Sequence, residues 1–538
     1  MRPKTFSIVT LGCRVNQYEA EQLATLLRSR GLTEAGDAAA DLRLVHTCSV
    51  TVQAAGKSRQ AARRLAEPIV GQTRVSLNVL PFQTVERQAI DLTVPAQPPM
   101  APRLVLTGCW ATSDPAAARA IPGVHAVITH HDDVAAELDR LLDAWQDESD
   151  TQENDENNVA GNTNTSNLAG QSAGNDTRLN RPPASQGVNG KIDVSSTPGN
   201  LAGSEPPAPS THPRQGFATL PLLDQPQASR RRALLKIQDG CDAHCTYCII
   251  PQLRPKLWSK PVEDAVEEAR RLVDGGHLEI VLTGIFLGAF GQHTALRRRQ
   301  PVRRSPLADL VDALCTRVPG LKRLRLSSLE PGDLNGDLLS ALRSHEQVVP
   351  HFHLPLQSGS DRLLRKMNRQ YTRSDFLTMV DQVQAAFDRP ALTTDVIAGF
   401  PGEDDAAFAD TADVVKRAGF IHVHAFHFSP RPRTAAARWQ KDFVRGPVVG
   451  HRVDHLRLIA DENSLLFRRS FLGQTVELLV EQDHDATMHP TLRHGRCERY
   501  FDVWFDAAEA KPGELVWAEI QDVTASRTTG RAKSRARR

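Results

Sequence analysis

The chain has 538 residues, 40% of them hydrophobic, a formal net charge of +2 and eight cysteines. The length predicts two to four domains, and the near-neutral balance provides neither a basic nor an acidic bulk surface that would name a partner. Cysteines this sparse exclude a secreted disulfide framework and suit metal ligation in a reducing compartment. No apolar run reaches about 18 residues, and the segment before Cys13 is too short for a signal peptide, so a cytoplasmic protein with no membrane contact is expected.

Residues 1–145 alternate short apolar strands with amphipathic helices, the pattern of a parallel α/β sheet. Strands are predicted at 6–10, 42–45 and 104–106, and a helix at 18–27 closed by Gly31. Residues 66–101, rich in Pro, Gln and Val, read as an insertion. From 146 to 229 the composition shifts to Asn, Gly, Ser, Pro, Gln and acids with one aromatic, Phe217, which predicts a disordered linker that holds no core. From 230 to 464 the alternation returns, with strands predicted at 233–237, 280–283, 324–327, 352–356, 392–397 and 422–428. Six β/α units fit a partial barrel, with chemistry expected at the C-terminal strand ends. Residues 467–525, with strands at 475–481, 500–505 and 515–523, suggest a small antiparallel barrel. Residues 526–538 carry six Arg or Lys and no acid, and read as a disordered basic tail able to make salt-dependent phosphate contacts.

Cys241, Cys245 and Cys248 follow the first barrel strand with the spacing C-x3-C-x2-C. Three thiolates on one loop can hold three corners of a [4Fe–4S] cluster and leave one iron open to an outside molecule. Structural zinc wants four ligands, usually in paired knuckles, and no second knuckle follows. Cys13, Cys48 and Cys109 each follow a predicted strand by two or three residues. Such positions share one edge of a parallel sheet, so the three thiols either converge or serve as small core residues. Cys315 and Cys497 fall on an apolar helical face and in the small barrel, and neither reads as a ligand.

The run from Asp239 to Pro251 resembles the signature loop of the radical S-adenosylmethionine (SAM) enzymes. That resemblance implies that the open iron chelates SAM, that its reductive cleavage releases a 5′-deoxyadenosyl radical, and that Tyr247 lies near the SAM adenine. Further SAM-binding candidates are Thr283 and Gly284 after the second strand, Gln357 and Ser358 after the fourth, and Asp395 on the fifth; each is equally placed to be an ordinary strand-end residue. The runs 10–19, 46–51 and 105–109 resemble the N-terminal domain of the radical SAM methylthiotransferases, and 473–477 with 495–500 resembles their TRAM domain. By that resemblance Cys13, Cys48 and Cys109 hold a second, auxiliary [4Fe–4S] cluster that delivers sulfur.

Within the family, the runs 14–19, 352–361 and 367–372 look most like the branch that modifies threonylcarbamoyladenosine at tRNA position 37. The implied reaction replaces the hydrogen on carbon 2 of the adenine by a methylthio group. Its implied partners are the tRNA anticodon loop, an electron donor such as flavodoxin or ferredoxin, and a sulfur donor. Other branches act on isopentenyladenosine in tRNA or on an aspartate of a ribosomal protein, and an iron–sulfur RNA-binding protein is the non-enzymatic alternative. The chain departs from the family pattern at His46, where asparagine is usual, at Pro255 and Trp258-Ser259-Lys260, where glycine and Arg-Ser-Arg are usual, at Phe286, where asparagine is common, and at Arg433, where glycine is common.

Overall fold

A computed structural model describes residues 2–66, 102–160, 217–225, 231–296, 304–481, 492–507 and 509–533, the side chains of 148–160 and 218 excepted. Apart from Ala66, the expected insertion lies outside these residues. In chain order the N-terminal elements are β1 (Thr5–Thr10), α1 (Arg14–Ser29), β2 (Thr33–Glu34), β3 (Leu42–Thr47), α2 (Val52–Ala66), β4 (Arg103–Gly108), α3 (Cys109–Ser113), α4 (Pro115–Arg119), β5 (Val124–Val127) and α5 (Val134–Ala160). The five strands form one all-parallel sheet in the order β2-β1-β3-β4-β5. Its central strands read as near-continuous buried apolar runs, Leu42 to Val45 and Leu104 to Leu106, interrupted by Arg43, because helices cover both faces. The described part of α5 from Leu142 falls, with Arg2, in a unit separate from the rest of the described chain.

The second layer comprises β6 (Arg232–Asp239), α6 (Ile250–Leu253), β7 (Trp258–Ser259), α7 (Val262–Asp274), β8 (Glu279–Gly284), α8 (Pro306–Arg317), β9 (Arg323–Leu326), α9 (Gly336–Ser344), β10 (His351–His353), α10 (Asp361–Lys366), α11 (Arg373–Ala386), β11 (Ala391–Ala398), α12 (Asp405–Ala418), β12 (His422–His427) and α13 (Gly446–Arg469). Strands β6-β8-β9 and β10-β11-β12 are parallel, and the parallel bridges Leu324↔Val348 and Ser328↔His353 join the two sets into a six-stranded partial barrel. The short β7 pairs antiparallel with β6 at the open edge. Alternation sorts each strand: Val423 and Ala425 of β12 enter the core shared with Val449, Val453 and Leu456 of α13, which leaves His422, His424 and Phe426 on the inner face.

Strands β13 (Thr475–Val480), β14 (Leu492–Cys497), β15 (Asp502–Asp506), β16 (Leu515–Val523) and β17 (Thr528–Lys533) close a five-stranded barrel. All its pairings are antiparallel except β15 with β17. Tyr500, at a tight turn with φ +71°, reaches from this barrel to the base of the large one. Its ring stacks on His351 with 4.4 Å between centroids, and the guanidinium groups of Arg232, Arg325 and Arg496 lie 5.4, 4.9 and 4.6 Å from its centre. Burial works against ionisation of the phenol, but Arg14, Arg232 and Arg496 outweigh it and bring its pKa down to about 8.

Two boundaries differ from the sequence reading. The expected basic tail is corrected at 528–533, which form the strand that closes the small barrel, with Thr528 fully buried. The expected linker is corrected at both ends. Its start continues α5 to Ala160, and at its end Phe217, Leu220 and Leu223 are buried. Phe217 packs edge-on against His46 and His130, with centroids 4.9 and 5.1 Å apart, and Asp224 accepts from Thr25 Oγ1 at 2.9 Å. A single aromatic suffices here because it enters a pocket built by the N-terminal sheet and needs no core of its own. No helix among the described residues is long and apolar enough to cross a membrane.

Helix α1 is buried on two sides. Leu23, Ala24 and Leu27 belong to its apolar face, whereas Tyr18 and Glu19 meet the large barrel. Glu19, fully buried, accepts from Arg254 Nη1 and Nη2 at 2.6 and 2.7 Å and from Lys236 Nζ at 2.6 Å, and His46 Nε2 lies 3.1 Å away. Asp239 completes the network with Lys236 at 2.6 Å and Arg254 at 2.8 Å. Tyr18 donates to Glu268 at 2.6 Å and accepts from Lys260 at 2.8 Å, and Lys260 pairs with Glu268. Lys260, one of the departures from the family pattern, is therefore an interface residue.

Two outcomes test this packing. Phe217→Ala should cost about 3–5 kcal/mol and lower Tm, whereas excision of 161–213, a composition too polar for a core, should leave Tm unchanged; the reverse order in a thermal melt would refute the assignment. Glu19→Ala leaves Arg254 and Lys236 to share the single counter-charge of Asp239 and should cost about 3–5 kcal/mol in a denaturant titration. Burial alone would raise the Glu19 pKa, but Arg254 and Lys236 hold it well below the usual carboxylate range. Its stabilisation is therefore complete at neutral pH and is lost as pH falls below that range, so the variant should lose less stability than the parent on acidification.

Candidate functional site

The first cysteine loop leaves β6 at Asp239 and is closed where Cys241 N–H donates to Arg254 O at 3.1 Å. Gly240 has φ +78°, and a Cβ there would stand 1.9 Å from Lys256 O, so only glycine permits this turn. Cys248 N–H donates to Cys245 O at 3.0 Å, and His244 adopts φ +51°, which curls the three cysteines onto one side. The stretch Met367-Asn368-Arg369 after α10 cradles this loop. Thr246 N–H donates to Met367 O at 3.1 Å, and Asn368 Nδ2 donates to the carbonyls of Ala243 and His244 at 3.3 and 3.1 Å. Arg369 Nη1 lies 3.1 Å from Cys245 Sγ and 3.4 Å from Tyr247 Oη, and the same guanidinium pairs with Glu330.

The second set converges. Cys13 precedes α1, Cys48 follows β3 and Cys109 opens α3 after β4. The Asn16 amide donates to Leu11 O and Thr47 O, each at 2.9 Å, which aims Oδ1 at the sulfurs of Cys13 and Cys109, 3.8 and 3.9 Å away. A Cβ on Gly12, where φ is +107°, would stand 2.8 Å from Cys48 Sγ. Ser58 Oγ fixes Cys48 by accepting from its N–H and donating to its carbonyl, both at 3.0 Å. Cys109 packs with Ile249 and Leu253, which follow Cys248, so the two cysteine sets lie on adjoining walls.

Burial pushes the thiols of Cys109, Cys241 and Cys248 up to about 12 and raises that of Cys48. Such thiols stay protonated at neutral pH by themselves, and a bound cation that takes thiolates must expel those protons. Both sets supply the donor chemistry of a three-thiolate cluster site, three cysteines each with glycines at the close approaches, though among the described residues no three ligating side chains stand close enough to hold a metal ion as placed.

The other predicted site residues are distributed as follows. Tyr247 is half-buried and edge-on to Phe400, with centroids 6.4 Å apart. Thr283 is buried beside Lys236, and Gly284 faces Gln238, whose Cβ would stand 3.0 Å from an added Cβ. Gln357, at φ +62°, accepts from Ile397 N–H at 3.0 Å and donates to Asp395 O at 2.8 Å, which brings it to the active end of β11. Ser358 is fully buried, its hydroxyl 3.3 Å from Thr411 Oγ1 and accepting from Ser360 N–H at 3.2 Å. Asp395 meets His353 Nε2 at 3.2 Å on the inner face. His422 and His424 lie beside them, their ring nitrogens 3.2 Å apart. Sequence reading missed these histidines, Arg369, Glu330 and Asn16; the alternation His422-Val423-His424 was the available signal.

One departure is explained locally. Arg433 has φ +68°, the conformation that glycine adopts most easily, and it is held by Gln252 Nε2 donating to its carbonyl and its own Nη2 donating to Ser113 O, both at 2.9 Å. Nothing in the structure explains Phe286, whose backbone N–H donates to Gln238 Oε1 at 2.8 Å.

Comparison with known proteins agrees with this geometry. Residues 235–415 match the Radical SAM superfamily, and residues 5–77 match the uncharacterized protein family UPF0004. A threonylcarbamoyladenosine tRNA methylthiotransferase MtaB of Chlamydia pneumoniae is 31% identical over 89% of this chain and 87% of its own length. One of Bacillus subtilis is 29% identical over 96% and 93%. A tRNA-2-methylthio-N(6)-dimethylallyladenosine synthase of Nocardia farcinica is 37% identical over 54% and 58%. Among solved structures, a radical SAM methyltransferase of Kitasatospora setae covers 81% of this chain and 74% of its own at 14% identity and a TM-score of 0.48, too distant a likeness to assign function. With relatives at least 30% identical over nearly nine-tenths of this chain and of their own, the chain belongs to the radical SAM methylthiotransferase family, a membership that implies a [4Fe–4S] cluster and SAM.

Proposed function

We propose that this chain is a tRNA methylthiotransferase that converts N6-threonylcarbamoyladenosine at position 37 to its 2-methylthio derivative in the cytoplasm. The observation that carries the reaction class is the pairing of two three-cysteine walls that meet through Cys109, Ile249 and Leu253. Cys241, Cys245 and Cys248 would hold a [4Fe–4S] cluster that, with SAM, would supply a radical able to take hydrogen from an unactivated C–H bond, and Cys13, Cys48 and Cys109 would hold a second cluster that would supply sulfur. The chain's own residues orient and shield. Arg369 and Asn368 hold the first loop, with Arg369 placing a cation against Cys245 Sγ. Tyr247, Thr283, Gly284, Gln357 and Asp395 are proposed to line the SAM pocket. Carbon 2 of adenine is neither acidic nor electrophilic, so no acid–base side chain is asked to activate it.

The inner face of β10–β12 supports the threonylcarbamoyl substrate. His353, His422 and His424 present ring nitrogens on that wall, which suit a hydroxyl- and amide-bearing substituent better than an apolar dimethylallyl group. The dimethylallyladenosine reading retains support from relatives of that name, so the two are set against each other below.

Anaerobically reconstituted protein should carry about eight irons. The Cys241/Cys245/Cys248→Ala variant should lose about half of that iron and all SAM cleavage. The Cys13/Cys48/Cys109→Ala variant should lose the other half yet still release 5′-deoxyadenosine with no methylthio product. Full iron in either variant, or product from the second, removes the assignment.

For the substrate, purified enzyme is given tRNA bearing threonylcarbamoyladenosine, tRNA lacking that modification, and tRNA bearing isopentenyladenosine, with products read by nucleoside mass spectrometry. Product should form on the first tRNA only. A preference for the isopentenyl substrate would overturn the branch assignment and leave the reaction class standing.

A further inference from the structure

Arg14 is the first residue of α1, directly after Cys13, and its half-buried side chain runs from the cysteine wall to the large barrel. There its Nη2 donates to Tyr500 Oη at 3.3 Å. Among the described residues that phenol is its one polar partner, and no carboxylate pairs with it. The other guanidinium groups around the same ring each hold an acid. Arg232 holds Glu481 at 3.2 Å, Arg325 holds Glu279 at 2.8 Å and Arg496 holds Asp502 at 2.8 Å. Arg14 therefore brings a charge without a counter-charge. Against burial, which opposes ionisation, it leads the cations that bring the Tyr500 phenol down to about 8.

The floor around Tyr500 is unsatisfied as well. Arg325 and His351 are 1% and 3% exposed and pack on the Tyr500 ring. Arg325 Nη2 and His351 Nδ1 nevertheless have no hydrogen-bond partner among the described residues. Buried polar atoms in this state are rare and point to a partner that the chain itself does not supply. His351 lies two residues before His353 on β10, so both side chains share the inner face, about 7 Å apart along the strand. The floor thus lies one step below the His353–Asp395 pair of the active end. A threonylcarbamoyl group carries its carboxylate about 5–6 Å beyond the adenine nitrogen, the reach of one to two residues of extended chain.

We propose that Arg14 is a specificity-determining residue that binds the carboxylate of the threonylcarbamoyl group inside the barrel. Nη2 keeps Tyr500, and the remaining donors of the planar fork take the carboxylate. The assignment rests on the substrate reading above and adds to it the residue that reads the charge. A dimethylallyl group would leave the guanidinium without its anion, so the contact that favours one base rejects the other.

The test measures binding to the anaerobically reconstituted full chain by fluorescence anisotropy. Anticodon stem-loop RNAs of one sequence bear threonylcarbamoyladenosine, its isosteric carboxamide or isopentenyladenosine. The parent should bind the acid about tenfold more tightly than the amide, since neutral hydrogen bonds replace a charge-assisted pair. Arg14→Leu and Arg14→Gln should bring that ratio to about one by weakening the acid most, with Arg14→Lys intermediate. Each ratio is taken within one protein, so a variant that merely disturbs α1 or the cysteines weakens both RNAs alike and keeps it. A ratio that survives in the Leu and Gln variants overturns the proposal, as does a parent with no preference for the acid. Tighter binding of the isopentenyl RNA by the parent removes the substrate reading itself, a result that the third RNA reports independently of the other two.

Discussion

The buried carboxylate of Glu19 is the point at which the two halves of the site are fixed to each other. It sits on α1, whose first turn carries Cys13 and Asn16, and it is gripped by Arg254, whose carbonyl closes the loop of Cys241. A continuous path of short polar contacts therefore runs from one cysteine set to the other through one ion network. Two acids, Glu19 and Asp239, face two cations, Lys236 and Arg254, so the charges balance inside the protein. A network satisfied in this way is rigid, because every small displacement lengthens a bond that water cannot replace.

The same network accounts for His46. The neighbour of Cys48 touches Glu19 with one ring nitrogen and presents its edge to Phe217. Burial lowers its pKa, so a neutral imidazole adds no further charge to a network already balanced. The imidazole at this position is packed by an aromatic that returns from a long polar stretch of sequence.

Much of the architecture was legible because periodicity and spacing are local. Six barrel strands, the order of the three modules and both cysteine sets follow from runs of a few residues. Features that depend on distant partners were not legible. Phe217 looks like a stray aromatic in a polar stretch, and only the pocket between His46 and His130 gives it a role. Residues 528–533 look like a basic tail because alternation with charged residues resembles disorder until β15 and β16 supply both edges. Nor does the sequence show that the Ser358 hydroxyl, at the end of a strand, turns inward to Thr411. Convergence of Cys13, Cys48 and Cys109 was one of two readings by spacing, and it needed Gly12 and Asn16 to be seen in place.

Of the eight cysteines only Cys13 is exposed, whereas Cys48 and Cys109 beside it are buried. Protonated, buried thiols are poor nucleophiles and slow to oxidise, so the sulfur chemistry of a chain not yet loaded is guarded unevenly. Oxidants and alkylating agents reach the Cys13/Cys48/Cys109 wall through a single residue, and one lesion there would remove one of its three thiols. Under the function proposed above, damage to the unloaded chain should thus accumulate as molecules that still split SAM but do not deliver sulfur.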